Sequence, residues 1–117
     1  MLALSLNNIQ WGDWDKEVLK SETPVIIEFW HQTCPTCLKI EPQVKELNVK
    51  LNGKAKVVRL NVLESRENRR LAIQNGVMGT PTFKIFYRGT GVGEVIGEET
   101  LTDLYIKLEA IVDKCMA

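Results

Sequence analysis

A chain of 117 residues is long enough for one domain with its own core, and the expectation is a single domain over residues 1–117. Hydrophobic residues make up 44% and charged ones 26%, with 15 Lys plus Arg against 15 Asp plus Glu, which argues against disorder, a polyanion-binding surface and a nucleic-acid partner. No apolar run reaches the ~18 residues of a membrane span, Met1 to Gln10 has no signal-peptide pattern, and three cysteines make no secreted disulfide framework, so a cytoplasmic protein is expected.

Leu2, Leu4 and Leu6 alternate with small or polar residues and predict a first strand, after which Asn7, Asn8 and Gly12 punctuate. Asp13 can cap a short helical pattern over Trp14 to Lys20 that carries Val18 and Leu19. Pro24 to Trp30 is almost continuously apolar, as a central strand covered on both faces would be, and only Glu28 breaks it. From Cys34 the spacing Ile40, Val44, Leu47, Leu51 predicts one long helix, kinked near Pro42 and stopped at Asn52-Gly53. Ala55 to Val62 reads as a second central strand, and Arg66 to Gln74 as a helix with Leu71 and Ile73 turned to the core. Thr82 to Tyr87 and Val92 to Ile96 flank the turn Arg88-Gly89-Thr90-Gly91 and predict an antiparallel hairpin. Thr100 with Asp103 has the pattern of a capping box for a last helix whose apolar stripe runs Leu101, Leu104, Tyr105, Leu108, Ile111, Val112, Cys115. The order predicts a mixed sheet flanked by helices.

The chemistry centres on Cys34-Pro35-Thr36-Cys37, at a strand-to-helix junction where two intervening residues bring the sulfurs within bonding range. Cys34, at the helix N-terminus, is the candidate nucleophile, since unpaired N–H groups there favour a thiolate; Cys37, one turn in, is the candidate resolving thiol. Pro35 suits the first helical position, and Thr36 keeps an N–H and a hydroxyl near Cys34. Half of a zinc site is the competing reading, but no second Cys pair or His cluster completes four ligands. Glu28, six positions before Cys34, is a candidate acceptor, directly or through water, for the Cys37 proton; the alternative is a carboxylate solvated at a sheet edge. Arg59 is its candidate cationic partner. Trp30 either shelters the dithiol or packs the loop, and His31 either steadies a thiolate or is a solvated loop residue. Thr80-Pro81 heads a strand, where a cis peptide is rare in general but concentrated at functional turns. Cys115 reads as a small core residue, with a regulatory thiol as the alternative.

Phe29-Trp30, Cys34-x-x-Cys37, Pro42 five positions after the second cysteine, Gly79-Thr80-Pro81-Thr82 and Gly97 together resemble the thioredoxin family over essentially the whole chain. The resemblance implies the thioredoxin fold, an α/β arrangement in the order βαβαβαββα. It also implies a cis Pro81 facing the dithiol, with Met78, Gly79 and Thr80 as one wall of a substrate groove that Trp30, Pro35 and Thr36 would share. Glu28 would hold the buried acidic position, Arg59 the basic position beside it, and Gly97 a supporting place after the last strand. Substrate would add as an extended segment against the backbone before Pro81. Three positions depart from the family pattern: Pro35-Thr36 replaces Gly-Pro, Thr33 replaces a Trp, and Glu28 replaces the more usual Asp.

The resulting expectation is a monomeric reductant of protein disulfides. It would work through Cys34 and Cys37 with no metal or organic cofactor, recycled by an upstream donor of the thioredoxin-reductase type. Two alternatives stand beside it. One is a disulfide isomerase or oxidant, in which Pro35-Thr36 stabilises the reduced form; the other is a binding module whose dithiol does not turn over.

Overall fold

The computed structural model describes residues 6–117. Five strands, β1 (Asn7–Asn8), β2 (Val25–Trp30), β3 (Lys56–Asn61), β4 (Thr82–Tyr87) and β5 (Thr90–Ile96), form one sheet in the order β1-β3-β2-β4-β5. The first three are mutually parallel, β4 is antiparallel to β2, and β5 is antiparallel to β4. Among the described residues three α-helices, α1 (Pro35–Lys50), α2 (Arg66–Gln74) and α3 (Leu104–Met116), cover the two faces, which gives the mixed α/β sandwich that the sequence predicts.

Alternation along the central strand β2 divides the core. Val25, Ile27 and Phe29 pack with Ile9, Trp14, Val18 and Ala72 on the α2 side, whereas Ile26 packs with Ile40, Val44 and Leu47 of α1 and Leu108 and Val112 of α3. The predicted stripe Ile40, Val44, Leu47 and Leu51 is buried throughout. Burying each such side chain contributes roughly 1.5–3 kcal/mol, so the stripe outweighs the roughly 3 kcal/mol that Pro42 costs inside α1. The helix runs unbroken from Pro35 to Lys50 and gives way, past the cap at Leu51, to Asn52 and a Gly53 at φ 87°.

Leu2 and Leu4 of the predicted first strand lie outside the described residues. The strand seen is Asn7–Asn8, which the sequence reading assigned to punctuation; it forms because these residues pair with Val58 and Arg59 at the sheet edge. Ile73 is 61% exposed and does not face the core, since positions 71 and 73 of a helix point in nearly opposite directions; the buried residues of α2 are Asn68 and Ala72. The hairpin turn is shorter than predicted: β5 begins at Thr90, and Arg88 and Gly89 both take positive φ, 51° and 80°. Thr100 is no cap for α3. It lies in a 3₁₀ turn, Gly97–Leu101, its hydroxyl donating to the Gly97 carbonyl at 2.6 Å, while Asp103 takes a left-handed φ of 51° as N-cap without a side-chain bond. Leu101 consequently sits outside α3, 38% exposed.

The registers fix where chemistry can gather. Trp30 at the end of β2 lies beside Asn61 at the end of β3, Phe29 lies beside Thr82 at the start of β4, and Thr82 lies beside Ile96 at the end of β5. Both the cysteine loop and the Thr80-Pro81 step therefore leave the same end of the sheet.

Candidate active site

Cys34 is the N-cap of α1, and its Sγ accepts the Cys37 backbone N–H at 3.1 Å. Pro35 fills the first helical position, where a missing N–H costs nothing. Cys34 and Cys37 are joined as a disulfide with their Cα atoms 5.2 Å apart; Cys37 is wholly buried, and Cys34 keeps 4% exposure. His31 organises the loop before them. Its carbonyl accepts the Cys34 N–H at 3.3 Å, and its Nδ1 accepts the Thr33 N–H at 3.2 Å with the Thr33 hydroxyl at 3.0 Å.

The Thr80-Pro81 peptide is cis. Its loop is tied at both sides, by the Thr82 hydroxyl donating to the Gly79 carbonyl at 2.7 Å and by the Gly97 N–H donating to the Pro81 carbonyl at 2.9 Å. Met78 projects almost fully into solvent, at 97% exposure. Met78, Gly79 and Thr80 form a ridge between two grooves. One, about 460 Å³, continues along His31, Leu63, Arg69 and Ile73; the other, about 310 Å³, continues along Glu94, Ile96 and Gly97. Pro35 is exposed and Thr36 half-buried on the first turn of α1, and neither lines these grooves. The sequence offers no local signal for Leu63 and Arg69, whereas the offset of Ile73 from Ala72 on α2 marks it as outward-facing.

Glu28 and Arg59 are neighbours in the β2–β3 register, and each falls on the α1 side of the sheet. Arg59 Nε donates to Glu28 Oε1 at 2.7 Å, both side chains being at most 5% exposed. Arg59 Nη1 donates to Oε1 of Glu41 on α1 at 3.1 Å, and its guanidinium lies over the Trp30 ring at 3.9 Å. Glu28 is therefore a core residue and not an edge one. Burial raises its carboxyl to about 7, outweighing the charge and hydrogen bond of Arg59, with repulsion from Glu41 adding to the rise. Glu28 Oε2, Arg59 Nη2 and Trp30 Nε1 are buried with no hydrogen-bond partner among the described residues. Glu41 was not singled out from sequence, although a glutamate between Ile40 and Pro42 on a core-facing helix was open to notice.

Cys115 is remote from this end: on the last turn of α3, half-buried, it donates to the Val112 carbonyl at 3.2 Å, and burial raises its thiol. Among the described residues no group of three or more His, Cys, Asp or Glu could hold a metal ion, and no helix is long and apolar enough to cross a membrane.

The thioredoxin family model matches residues 5–110. The chain is 39% identical over 98 residues to a thioredoxin of Synechocystis, covering 84% of this chain and 89% of that one. It is 38% identical over 94 residues to thioredoxin 1 of Nostoc, covering 80% and 85%, and 33% identical over 91 residues to a thioredoxin of Rickettsia felis, covering 78% and 84%.

Proposed function

The chain belongs to the thioredoxin family and is a dithiol–disulfide oxidoreductase, and on that premise we propose that it works mainly as a reductant of protein disulfides, acting as one domain over residues 1–117. The observation that carries this reading is the Cys34–Cys37 disulfide at the N-terminus of α1, which follows directly on β2, the strand that holds the buried, half-satisfied carboxylate of Glu28.

In the reduced protein the Cys34 thiolate, steadied by the free N–H groups of the first turn of α1, attacks one sulfur of a substrate disulfide. A mixed disulfide forms and the other substrate sulfur leaves as a thiolate that takes a proton from water. Glu28 then accepts the proton of Cys37, directly or through water at its unpartnered Oε2; Cys37 attacks Cys34 Sγ, and the second substrate thiolate departs. Two electrons have passed to the substrate, and the Cys34–Cys37 disulfide remains.

Substrate segments lie extended along the ridge Met78, Gly79, Thr80 before Pro81, beside the first turn of α1 with Pro35 and Thr36; Trp30 and Gly97 support this surface. The cycle needs neither metal nor organic cofactor. It does need an upstream dithiol donor of the thioredoxin-reductase type and a reducing compartment, the cytoplasm, in which a monomer suffices.

The equilibrium potential of the Cys34–Cys37 pair in a dithiothreitol or glutathione buffer, read by alkylation and mass spectrometry, tests the direction of flow. A potential more reducing than the cytosolic glutathione pool supports the reductant. One more oxidising, with about 30 mV worth roughly 1.4 kcal/mol, overturns it in favour of an oxidant or isomerase.

A further inference from the structure

The role of Glu28 as acceptor for the Cys37 proton is the reading on which this inference rests. A carboxyl serves as a base near neutral pH only if its charged form is not too well stabilised. The charged groups facing Glu28 are few. Arg59 comes from β3, Glu41 from α1, and β4 contributes the apolar Phe83 at the paired position.

Arg59 is shared. Its Nε serves Glu28 at 2.7 Å, its Nη1 serves Glu41 at 3.1 Å, and its Nη2 has no hydrogen-bond partner among the described residues. Glu41 is held at the rim, 34% exposed, because its neighbour Ile40 is buried in the core; its second oxygen faces Lys45 at a loose 3.8 Å. We propose that Glu41 is a positioning residue for the proton step: by claiming part of the buried Arg59 guanidinium, it keeps Arg59 from fully stabilising the Glu28 carboxylate.

Charge accounting carries the argument. With Glu41 ionised, deprotonating Glu28 takes the trio from neutral to one net negative charge, and the new charge sits on a carboxyl that is wholly buried. With a neutral side chain at 41, the same deprotonation takes it from one positive charge to neutral, which is the easier change. The repulsion that Glu41 exerts on Glu28 acts in this direction. Lys45 offsets it little, since its side chain is 62% exposed and its ammonium stands 3.8 Å off.

The test is a side-chain ¹³C NMR titration of Glu28 in the oxidised protein, assigned with Glu28→Gln, beside single-turnover reduction of a disulfide substrate followed against pH. In Glu41→Gln the Glu28 midpoint is expected to fall by about 0.5–1 pH unit, the pH profile of Cys37 attack to fall with it, and the charge-conserving Glu41→Asp to keep more of the elevated midpoint. An unchanged Glu28 midpoint in folded Glu41→Gln overturns the proposal whatever Cys37 does. If the midpoint falls while the profile of Cys37 attack stays fixed, the coupling of Glu41 to Glu28 holds, and the proton-step role fails through the acceptor reading beneath it.

Discussion

Glu28 on β2 and Arg59 on β3 stand opposite one another in the parallel register and meet side chain to side chain at 2.7 Å, both withdrawn from water. Breaking such a pair from one side leaves a buried charge uncompensated, at a cost of about 3–5 kcal/mol. Arg59→Met is therefore expected to lower the urea midpoint strongly at pH 8 and above, where the Glu28 carboxyl is ionised. Glu28→Leu combined with Arg59→Met should recover much of that loss, because neither charge is then stranded. Equal midpoints for the single and double variants would show that the pair is not coupled.

The elevated carboxyl of Glu28 ties stability to pH. An unfolded glutamate ionises near 4.5, whereas Glu28 in the folded protein holds its proton up to about 7. Between these values the folded state binds more protons than the unfolded one, so the contribution is complete below 4.5 and is lost as pH rises through 7. The loss amounts to up to about 3 kcal/mol. Urea unfolding from pH 4.5 to 8 should fall in this way in the wild type and more shallowly in Glu28→Gln.

Glu28→Gln keeps the shape of the site and removes the base. Decay of the mixed disulfide at pH 7 is expected to slow on the order of 100-fold, the low end for loss of a general base, while formation of the mixed disulfide by Cys34 changes little. Stopped-flow measurement of the two steps separates these outcomes. Equal slowing of both would assign Glu28 a role in building the site and not in moving a proton.

Removing either sulfur should give different failures. Cys34→Ser is expected to leave insulin disulfides unreduced at the background rate. Cys37→Ser should accumulate a covalent Cys34–substrate adduct, visible as added mass that dithiothreitol releases. An adduct on Cys37 in Cys34→Ser would reverse the two roles.

Asn68 on α2 is wholly buried; its Oδ1 accepts the Trp11 N–H at 2.8 Å, and its Nδ2 donates to Gln10 Oε1 at 2.9 Å and the Asn61 carbonyl at 3.0 Å. Asn68→Ala strands these partners at roughly 1–3 kcal/mol for each group left unsatisfied. Ile73→Ala on the exposed side of the same helix should change stability by under about 0.5 kcal/mol. Thermal or urea unfolding of the two variants ranks them.

Asn68 and Ile73 also mark where the sequence could be read and where it could not. Periodic apolar runs disclosed β2, β3 and the buried stripe of α1, because burial there is carried by side chains whose type announces it. Asn68 is held inside by hydrogen bonds to Gln10 and Trp11, far away in the chain, and to Asn61, which no local pattern displays, and Ile73 is apolar without being interior. The Cys34–Cys37 pair was legible from spacing, and Glu28 from being a charge in an apolar run. Glu41 was not, since its bond to Arg59 depends on how α1 lies across β3. Thr100 and Asp103 had the right separation for a cap, but the 3₁₀ turn at Gly97–Leu101 used the Thr100 hydroxyl first.

The sheet has two poles, and the Cys34–Cys37 disulfide occupies one of them. At the other, Val25 lies beside Lys56, and the chain arrives there from α1 through Asn52 and Gly53, both exposed, with open space around the position a Gly53 side chain would take. A foreign loop spliced between Asn52 and Gly53 would hang from this pole, the length of β2 away from the disulfide. The fold thus offers an attachment point for an affinity handle or a fused receptor-binding peptide, through which the oxidoreductase could be tethered beside a chosen client while its reactive pole stays free.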